Sequence, residues 1–399
     1  DGELWEVHRE LKADLIEYAR NRLVRQRERH GEGPSAIDAA TQALSPNALT
    51  LGFARRFATY KRATLLFRDP ARLARILNDP ARPVQVVFAG KAHPNDKPAQ
   101  ELIRQVYEYA RQPQFAGKIV LLEDYDIDMA RHLVSGCDVW LNNPIRPHEA
   151  SGTSGQKASL NGLPNASIID GWWEEGYTGA NGWAFGERRE YSDEKTRDDA
   201  DANHLYEILE HEIIPLYFDR GLDGIPHNWV TVMKEAILTV APQFSMRRMV
   251  VEYVEKLYLP ALALGARMDA DNYALARELA AWRRKVREHW GRVGLRVEGP
   301  REGQLQIGEP VDLTANVYLG NLKPEDGRVE VVAGHDDDGE ITDRHVVEMS
   351  SAGRADDGAY RYRAQLQPTS NGTLVYGVRA VPSHPGLPSP LDTGLARWA

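Results

Sequence analysis

A doubly wound α/β domain, followed by helices and a small all-β domain, is the architecture this sequence predicts. Three observations lead there. Between residues 48 and 171 five short apolar runs, "ALTLGFA", "VQVVFAG", "KIVLLED", "DVWLNN" and "ASIIDG", alternate with helical patterns. Nearly continuous apolar strands separated by helices belong to a parallel sheet covered on both faces. From about 202 to 290 the apolar spacing is helical, and near Val293 it changes to alternation.

The elements follow in order. "LWEVHRELKADLIEYARNRLVRQRERHG" places Leu4, Trp5, Leu11, Leu15, Ile16, Tyr18 and Leu23 at roughly helical spacing, ended by Gly31. A helix with so bulky an apolar face packs on something. The opening on Asp1 adds the expectation that the chain is the C-terminal piece of a longer protein. Residues 31–47 read as a turn-rich connector, so 1–47 form an N-terminal helix and connector. The α/β domain occupies 48–240, with helical patterns near 61–78, 97–111, 128–136 and 156–162. C-terminal helices fill 241–292, Ser245 being placed to cap "MRRMVVEYVEKLY". In 293–399 the runs "VDLTANVYL", "GRVEVVAG", "RHVVEMS", "AYRYRAQLQ" and "GTLVYGVRAV" alternate apolar and polar residues between turn clusters, which predicts a β-sandwich.

Composition narrows the function. The 399 residues are 42% hydrophobic and carry net charge −9, enough chain for two or three domains. Basic residues are spread among acids, so there is no footprint for nucleic acid or an acidic membrane surface. No run approaches a membrane helix and no secretory segment opens the chain, which reads as soluble and cytoplasmic. Cys137 is alone, leaving no disulfide framework and no cysteine metal cage.

Candidate chemistry sits in the polar segments after the strands, where doubly wound sheets bind ligands. "FARRFATYKRA" gathers Arg55, Arg56, Lys61 and Arg62 at a strand end, and such a cluster makes an anion site. Solvated surface charge is the plain alternative, and position after a strand favours the anion site. "EASGTSGQK" combines Gly152 and Gly155, which let backbone approach a ligand, with the hydroxyls of Thr153 and Ser154. It is not a Walker P-loop, and small-residue turns are often only turns. Lys157 lies in the first helical turn, where the dipole disfavours a cation; an imine with an aldehyde cofactor explains it better. Glu149 lacks a partner carboxylate, which argues for hydrogen bonding to sugar hydroxyls over two-carboxylate glycosidase chemistry. His93, His132 and His148 are scattered without metal-ligand spacing, and Trp172 and Trp173 read as packing rather than ligand stacking.

These stretches, with "FAGKAHP", "LEDYDIDMARHLVSGCDVWLNNPIRPHEASGTSGQKASLNG" and "IIDGWWEEGY", resemble the C-terminal half of an α-glucan (glycogen or maltodextrin) phosphorylase. The likeness is to the bacterial branch and runs from roughly residue 1 to 290; the β tail resembles that branch's appendage. It implies two Rossmann-like domains facing across a cleft, the C-terminal one here, with pyridoxal 5′-phosphate (PLP) buried in it. Lys157 matches the lysine that forms the PLP imine. Arg55, Thr153, Ser154 and Gly155 match the residues around the cofactor phosphate, and Tyr125 a tyrosine beside the pyridine ring. Arg56 and Lys61 match the binders of substrate phosphate, while Glu149, Ala150, Ser151 and Gly152 match the glucose-binding turn. The implied reaction is phosphorolysis of a terminal α-1,4-linked glucose by inorganic phosphate, giving glucose 1-phosphate with retention. The cofactor phosphate assists acid catalysis. Family members read Gly-Thr-Gly-Asn-Met-Lys where this chain has Gly152 to Lys157, and His-Glu where it has Ala58-Thr59. The N-terminal domain that completes the family's site has no counterpart here, and the resemblance leaves room for a homo-oligomer. The rivals are a nucleotide-sugar-dependent glucan synthase-type glycosyltransferase and a non-catalytic glycan-binding fragment.

Overall fold

In a computed structural model the chain divides into two units, Asp1–Val250 and Val251–Ala399. The structure describes all residues except 190, 301–302, 304–305, 338–339 and 369–370.

The first unit is built on six parallel strands: β1 (Leu49–Ala54), β2 (Val84–Ala89), β3 (Ile119–Leu122), β4 (Val139–Asn142), β5 (Asn165–Ile168) and β6 (Gly182–Phe185). Their order is β3-β2-β1-β4-β5-β6, the doubly wound arrangement. The strands are mostly apolar because both faces are buried; Thr50, Gln85, Asn142, Asn165 and Ser167 are the buried polar exceptions. Leu49, Leu51, Phe53, Val86, Phe88, Ile119 and Leu121 face one core. Val87, Ala89, Val120 and Leu122 face the other, together with Leu15, Ile16 and Leu23 of the first helix. β6 was not expected: "GWAF" is four residues long and opens on a glycine, too little pattern to register.

Helix α1 (Gly2–Arg29) packs on α2 (Pro34–Thr41) and α5 (Ile127–Gly136). α2 corrects the expectation of a turn-rich connector: Pro34 is pre-set for the first helical turn, and the alanines behind it carry the helix on. The helix expected over 61–78 is also broken. 3-10 turns at Thr59–Lys61 and Leu65–Phe67 precede α3 (Pro70–Leu77), because Arg62 has left-handed backbone (φ +46) and Asp69 caps a new start by accepting from Arg72 N–H. α4 (Lys97–Ala110) and α5 begin at Asp96 and Asp126, whose carboxylates accept from the N–H groups of Ala99 and Met129. α6 (Ser154–Leu160), α7 (Trp172–Gly176), α8 (Glu194–Ile208), α9 (Ile214–Phe218) and α10 (His227–Phe244) complete the covering layers. Ser245 accepts from Arg248 N–H at 3.4 Å, as a cap for α11 (Met246–Tyr253).

In the second unit α12 (Leu259–His289) is interrupted at Ala270–Tyr273, where Asp271, Asn272 and Tyr273 have positive φ. Two antiparallel four-stranded sheets follow. One runs β10 (Glu340–Glu348), β9 (Gly327–Asp337), β13 (Thr373–Pro382), β14 (Arg397–Trp398). The other runs β11 (Ser350–Arg354), β12 (Tyr360–Leu366), β8 (Val311–Tyr318), β7 (Gly294–Glu298). Leu313, Ala315 and Val317 of one sheet share a core with Val329, Val331 and Val378 of the other, the expected sandwich.

Candidate active site

Strand order reverses between β1 and β4, and ligands of open parallel sheets bind outside the strands' carboxyl ends at such a point. β1 ends at Ala54 and β4 at Asn142. The loop carrying Arg55, Arg56 and Lys61 therefore meets the loop carrying Glu149 and the Gly152–Ser154 turn.

The side chains that meet are charged and mostly buried. Arg55 Nη2 donates to Glu149 Oε2 at 2.8 Å, and the Lys61 ammonium stands 3.7 Å from Glu149 Oε1. Arg55 and Glu149 are 8% and 7% exposed, and among the described residues this carboxylate alone forms ion pairs with both inward cations. Exposed Arg56 sits beside the phenol of Tyr60, next to Lys61. Burial holds the Arg55 guanidinium below its ordinary pKa despite Glu149. Burial and the Arg55 charge hold the Lys61 ammonium below its own. Arg55 Nη1 is buried with no hydrogen-bond partner. A buried guanidinium nitrogen with a free donor calls for an acceptor.

Two residues that sequence reasoning missed fix the backbone that carries this carboxylate. Asp170, 4% exposed, accepts from Glu149 N–H and from Gly171 N–H, each at 2.9 Å. Gly171 has φ +58, and a Cβ there would lie 2.4 Å from the Ser151 carbonyl oxygen. The signal was an aspartate-glycine pair directly after the apolar run of β5. Tyr60 is the other: its carbonyl accepts from Ile145 N–H at 2.7 Å, joining the two loops.

The Gly-Thr-Ser-Gly turn sits against β4 and β5. Trp140 Nε1 donates to Ser154 Oγ at 3.3 Å, and Asn165 Nδ2 donates to the Gly155 carbonyl at 3.1 Å. A Cβ at Gly155 would lie 2.4 Å from Asn165 Oδ1 and 3.0 Å from the Trp172 ring, so only glycine lets this turn settle. Trp172 and Trp173 are buried in a cluster with Val240, as packing groups. Gly152 lies beside Glu149, at φ +82; Ala150, Ser151 and Thr153 are exposed around it. Lys157 is exposed on α6, its N–H bonded to the Thr153 carbonyl. Tyr125 follows β3 half-buried, its phenol pKa raised by burial. Among the described residues no hydrogen bond or ion pair joins the Lys157 or Tyr125 side chain to the Arg55–Glu149 cluster.

Arg62, counted with the anion cluster from sequence, is turned away. Asp198 and Asp201 of α8 accept from its Nη1 at 2.9 and 2.7 Å, so its charge is neutralised outside the site. Glu207, Glu210 and His211 are close enough together to hold a metal ion, but Arg72 already bridges both carboxylates. Among the described residues no helix is long and apolar enough to cross a membrane.

Comparison with known proteins gives the family of the chain. A carbohydrate phosphorylase family profile matches residues 24–212, and a glycogen phosphorylase C-terminal domain profile matches residues 290–399. The chain is 40% identical over 402 residues to a maltodextrin phosphorylase of Thermococcus litoralis, covering all of this chain and 46% of that protein. It is 40% identical over 400 residues to a glycogen phosphorylase of Mycobacterium tuberculosis, covering 99% of this chain and 46% of the relative. With a glycogen phosphorylase of Aquifex aeolicus the identity is 48% over 258 residues, 65% of this chain and 37% of the relative. The chain thus spans less than half the length of these curated relatives. Two profiles in chain order, and relatives matched along its whole length, lead to one assignment: the chain belongs to the carbohydrate phosphorylase family and carries its C-terminal domain.

Proposed function

We propose that this chain supplies the PLP- and phosphate-binding half of an α-1,4-glucan phosphorylase, releasing glucose 1-phosphate from the end of glycogen or maltodextrin. The observation that carries this reading is the cation excess in the crevice. Arg55 and Lys61 share one carboxylate, Arg56 adds a third cation beside Tyr60, and Arg55 Nη1 is buried without an acceptor. That donor set suits phosphate groups, and the small-residue turn before α6, where a Cβ at Gly155 would clash, suits close approach of a cofactor phosphate. When bound, PLP supplies a phosphate whose second ionisation, near about pH 6, lets it share a proton with inorganic phosphate.

The chain's own residues do the rest. Arg55, with Thr153, Ser154 and Gly155, holds the cofactor phosphate, Tyr125 flanks the ring, and Lys157 is the covalent anchor. Arg56 and Lys61 hold inorganic phosphate and offset the repulsion between two phosphates and the developing charge on the departing sugar oxygen. Glu149, fixed through its backbone by Asp170, keeps the cations charged and, with Ala150, Ser151 and Gly152, offers its turn to glucose hydroxyls. The glucan groove is completed by the part of the family's chain not present here. The chain alone is therefore expected to bind cofactor and phosphate with little turnover.

The test is to mix the chain with PLP, reduce with borohydride and map the pyridoxyl peptide by mass spectrometry. Label on Lys157 alone is the expected result. Label scattered over surface lysines, together with binding of a nucleotide sugar, would replace this reading with the glucan synthase type.

A further inference from the structure

Arg62 is buried at 5% exposure and has φ +46, a left-handed conformation that a bulky side chain keeps only where its surroundings hold it. The surroundings are specific. Its Nε donates to the Asn143 carbonyl at 3.0 Å and its Nη2 to the Pro144 carbonyl at 2.8 Å. Its Nη1 serves Asp198 and Asp201 of α8, at 2.9 and 2.7 Å. Asn143 Nδ2 donates back to the Arg62 carbonyl at 2.7 Å, and Ile145 N–H to the Tyr60 carbonyl at 2.7 Å. Residues 60–62 and 143–145 are thereby zipped together. Lys61 lies inside the first of these segments, and Glu149 is four residues beyond the second. The Lys61 ammonium stands 3.7 Å from Glu149, beyond hydrogen-bond length, so its place depends on the register of its backbone.

We propose that Arg62 is the positioning residue of the anion site, locking the loop after β1 to the loop after β4 and to α8 so that Lys61 and Glu149 face each other. This rests on the phosphorylase reading of that site. Arg62 touches no substrate; its charge is spent on Asp198 and Asp201, and its effect passes through Lys61. A lysine in its place has one ammonium and cannot serve two carbonyls and two carboxylates in a fixed fork.

Isothermal titration of the 399-residue chain with inorganic phosphate tests this. Arg62→Lys is expected to bind phosphate about tenfold more weakly, with circular dichroism unchanged and borohydride trapping at Lys157 retained. Asp201→Asn keeps the arginine and loosens its hold; an affinity lower by about threefold is expected. It also decides the matter if Arg62→Lys fails to fold. A second readout is the carbon-13 resonance of reductively dimethylated Lys61. In the parent it is expected away from the free-lysine position, and in either variant closer to it. Phosphate affinities within about twofold of the parent, or an unmoved Lys61 resonance in a folded variant, would overturn the proposal. A parent chain that binds no phosphate counts against the phosphorylase reading, and the Lys61 resonance then decides the positioning role by itself.

Discussion

Two buried charge clusters lie at opposite ends of the central strands, and they are built by opposite rules. Before β1, the Lys12 ammonium donates to the Ala48 carbonyl and Asp138 at 2.5 Å and to the Tyr217 hydroxyl at 2.8 Å. Asp138 also accepts from Thr50 N–H at 2.6 Å and pairs with His8 at 2.8 Å. After β1, Arg55 has one buried nitrogen with no partner, and Lys61 is 3.7 Å from its carboxylate. The electrostatics follow the geometry. Burial opposes the Lys12 charge, but Asp138 and Tyr217 outweigh burial and hold the ammonium above its ordinary value. For Lys61 burial wins, aided by Arg55, and the pKa falls. A cluster whose lysine and aspartate bond each other fully, with only His8 Nδ1 left buried and unpartnered, fastens α1 to the sheet. A cluster left short of an anion is, on the proposed function, where phosphate binds.

The largest effect should come from breaking the complete cluster. Lys12→Met leaves Asp138 fully buried with its His8 and Thr50 hydrogen bonds but without its lysine, and a loss of about 3–5 kcal/mol in urea unfolding is expected. Its pH dependence has a definite sign. Burial alone would raise the Asp138 pKa, yet Lys12 and His8 hold it below 3.8. Its contribution is therefore present above 3.8 and lost as pH falls through the lower folded value. Lys12, raised above 10.5, contributes fully below that pH and loses its contribution as pH rises through the folded value. Melting temperature against pH in parent and Lys12→Met should differ most between these limits; parallel curves would show that the cluster does not fasten the fold. The next effect is steric. Gly155→Ala places a Cβ 2.4 Å from Asn165 Oδ1, and a cost of about 1–3 kcal/mol with loss of PLP trapping at Lys157 is expected. Unchanged trapping would mean that the turn has more room than its packing suggests.

How much of this was legible in the sequence depended on where each partner lies along the chain. Five of six parallel strands are short apolar runs that announce themselves; β6 does not, and α2 was hidden by Gly, Pro and Ser that looked like turn chemistry. At the site, Arg55, Lys61 and Glu149 were legible as charges after strands, because the doubly wound order brings strand ends together. The roles of Arg62 and Asp170 were not. The carboxylates that claim Arg62 lie 136 and 139 residues away, and Asp170 acts on a backbone amide 21 residues before it. Lys12 was invisible for the same reason: a lysine on an apolar helix face is ordinary until Asp138, 126 residues on, takes its charge.

The incomplete cluster is probed by a smaller and opposite effect. Lys61→Met removes a cation that burial and Arg55 disfavour, so the chain without phosphate should be as stable as the parent or slightly more so. Phosphate should then separate them. At about a hundredfold excess over its Kd a ligand of the folded state adds about 2.7 kcal/mol, and the parent should gain this while Lys61→Met gains much less. The sign with pH follows from the lowered Lys61 value. The ammonium is disfavoured at every pH below its folded pKa, and this penalty disappears as pH rises through that value towards 10.5. A bound phosphate needs the ammonium charged, so phosphate stabilisation of the parent should fade over the same window, and the two proteins should converge. Thermal shift with and without phosphate from neutral pH upward measures both halves. If Lys61→Met proves much less stable without phosphate, as Lys12→Met should be, the second cluster is structural like the first and the contrast between them fails.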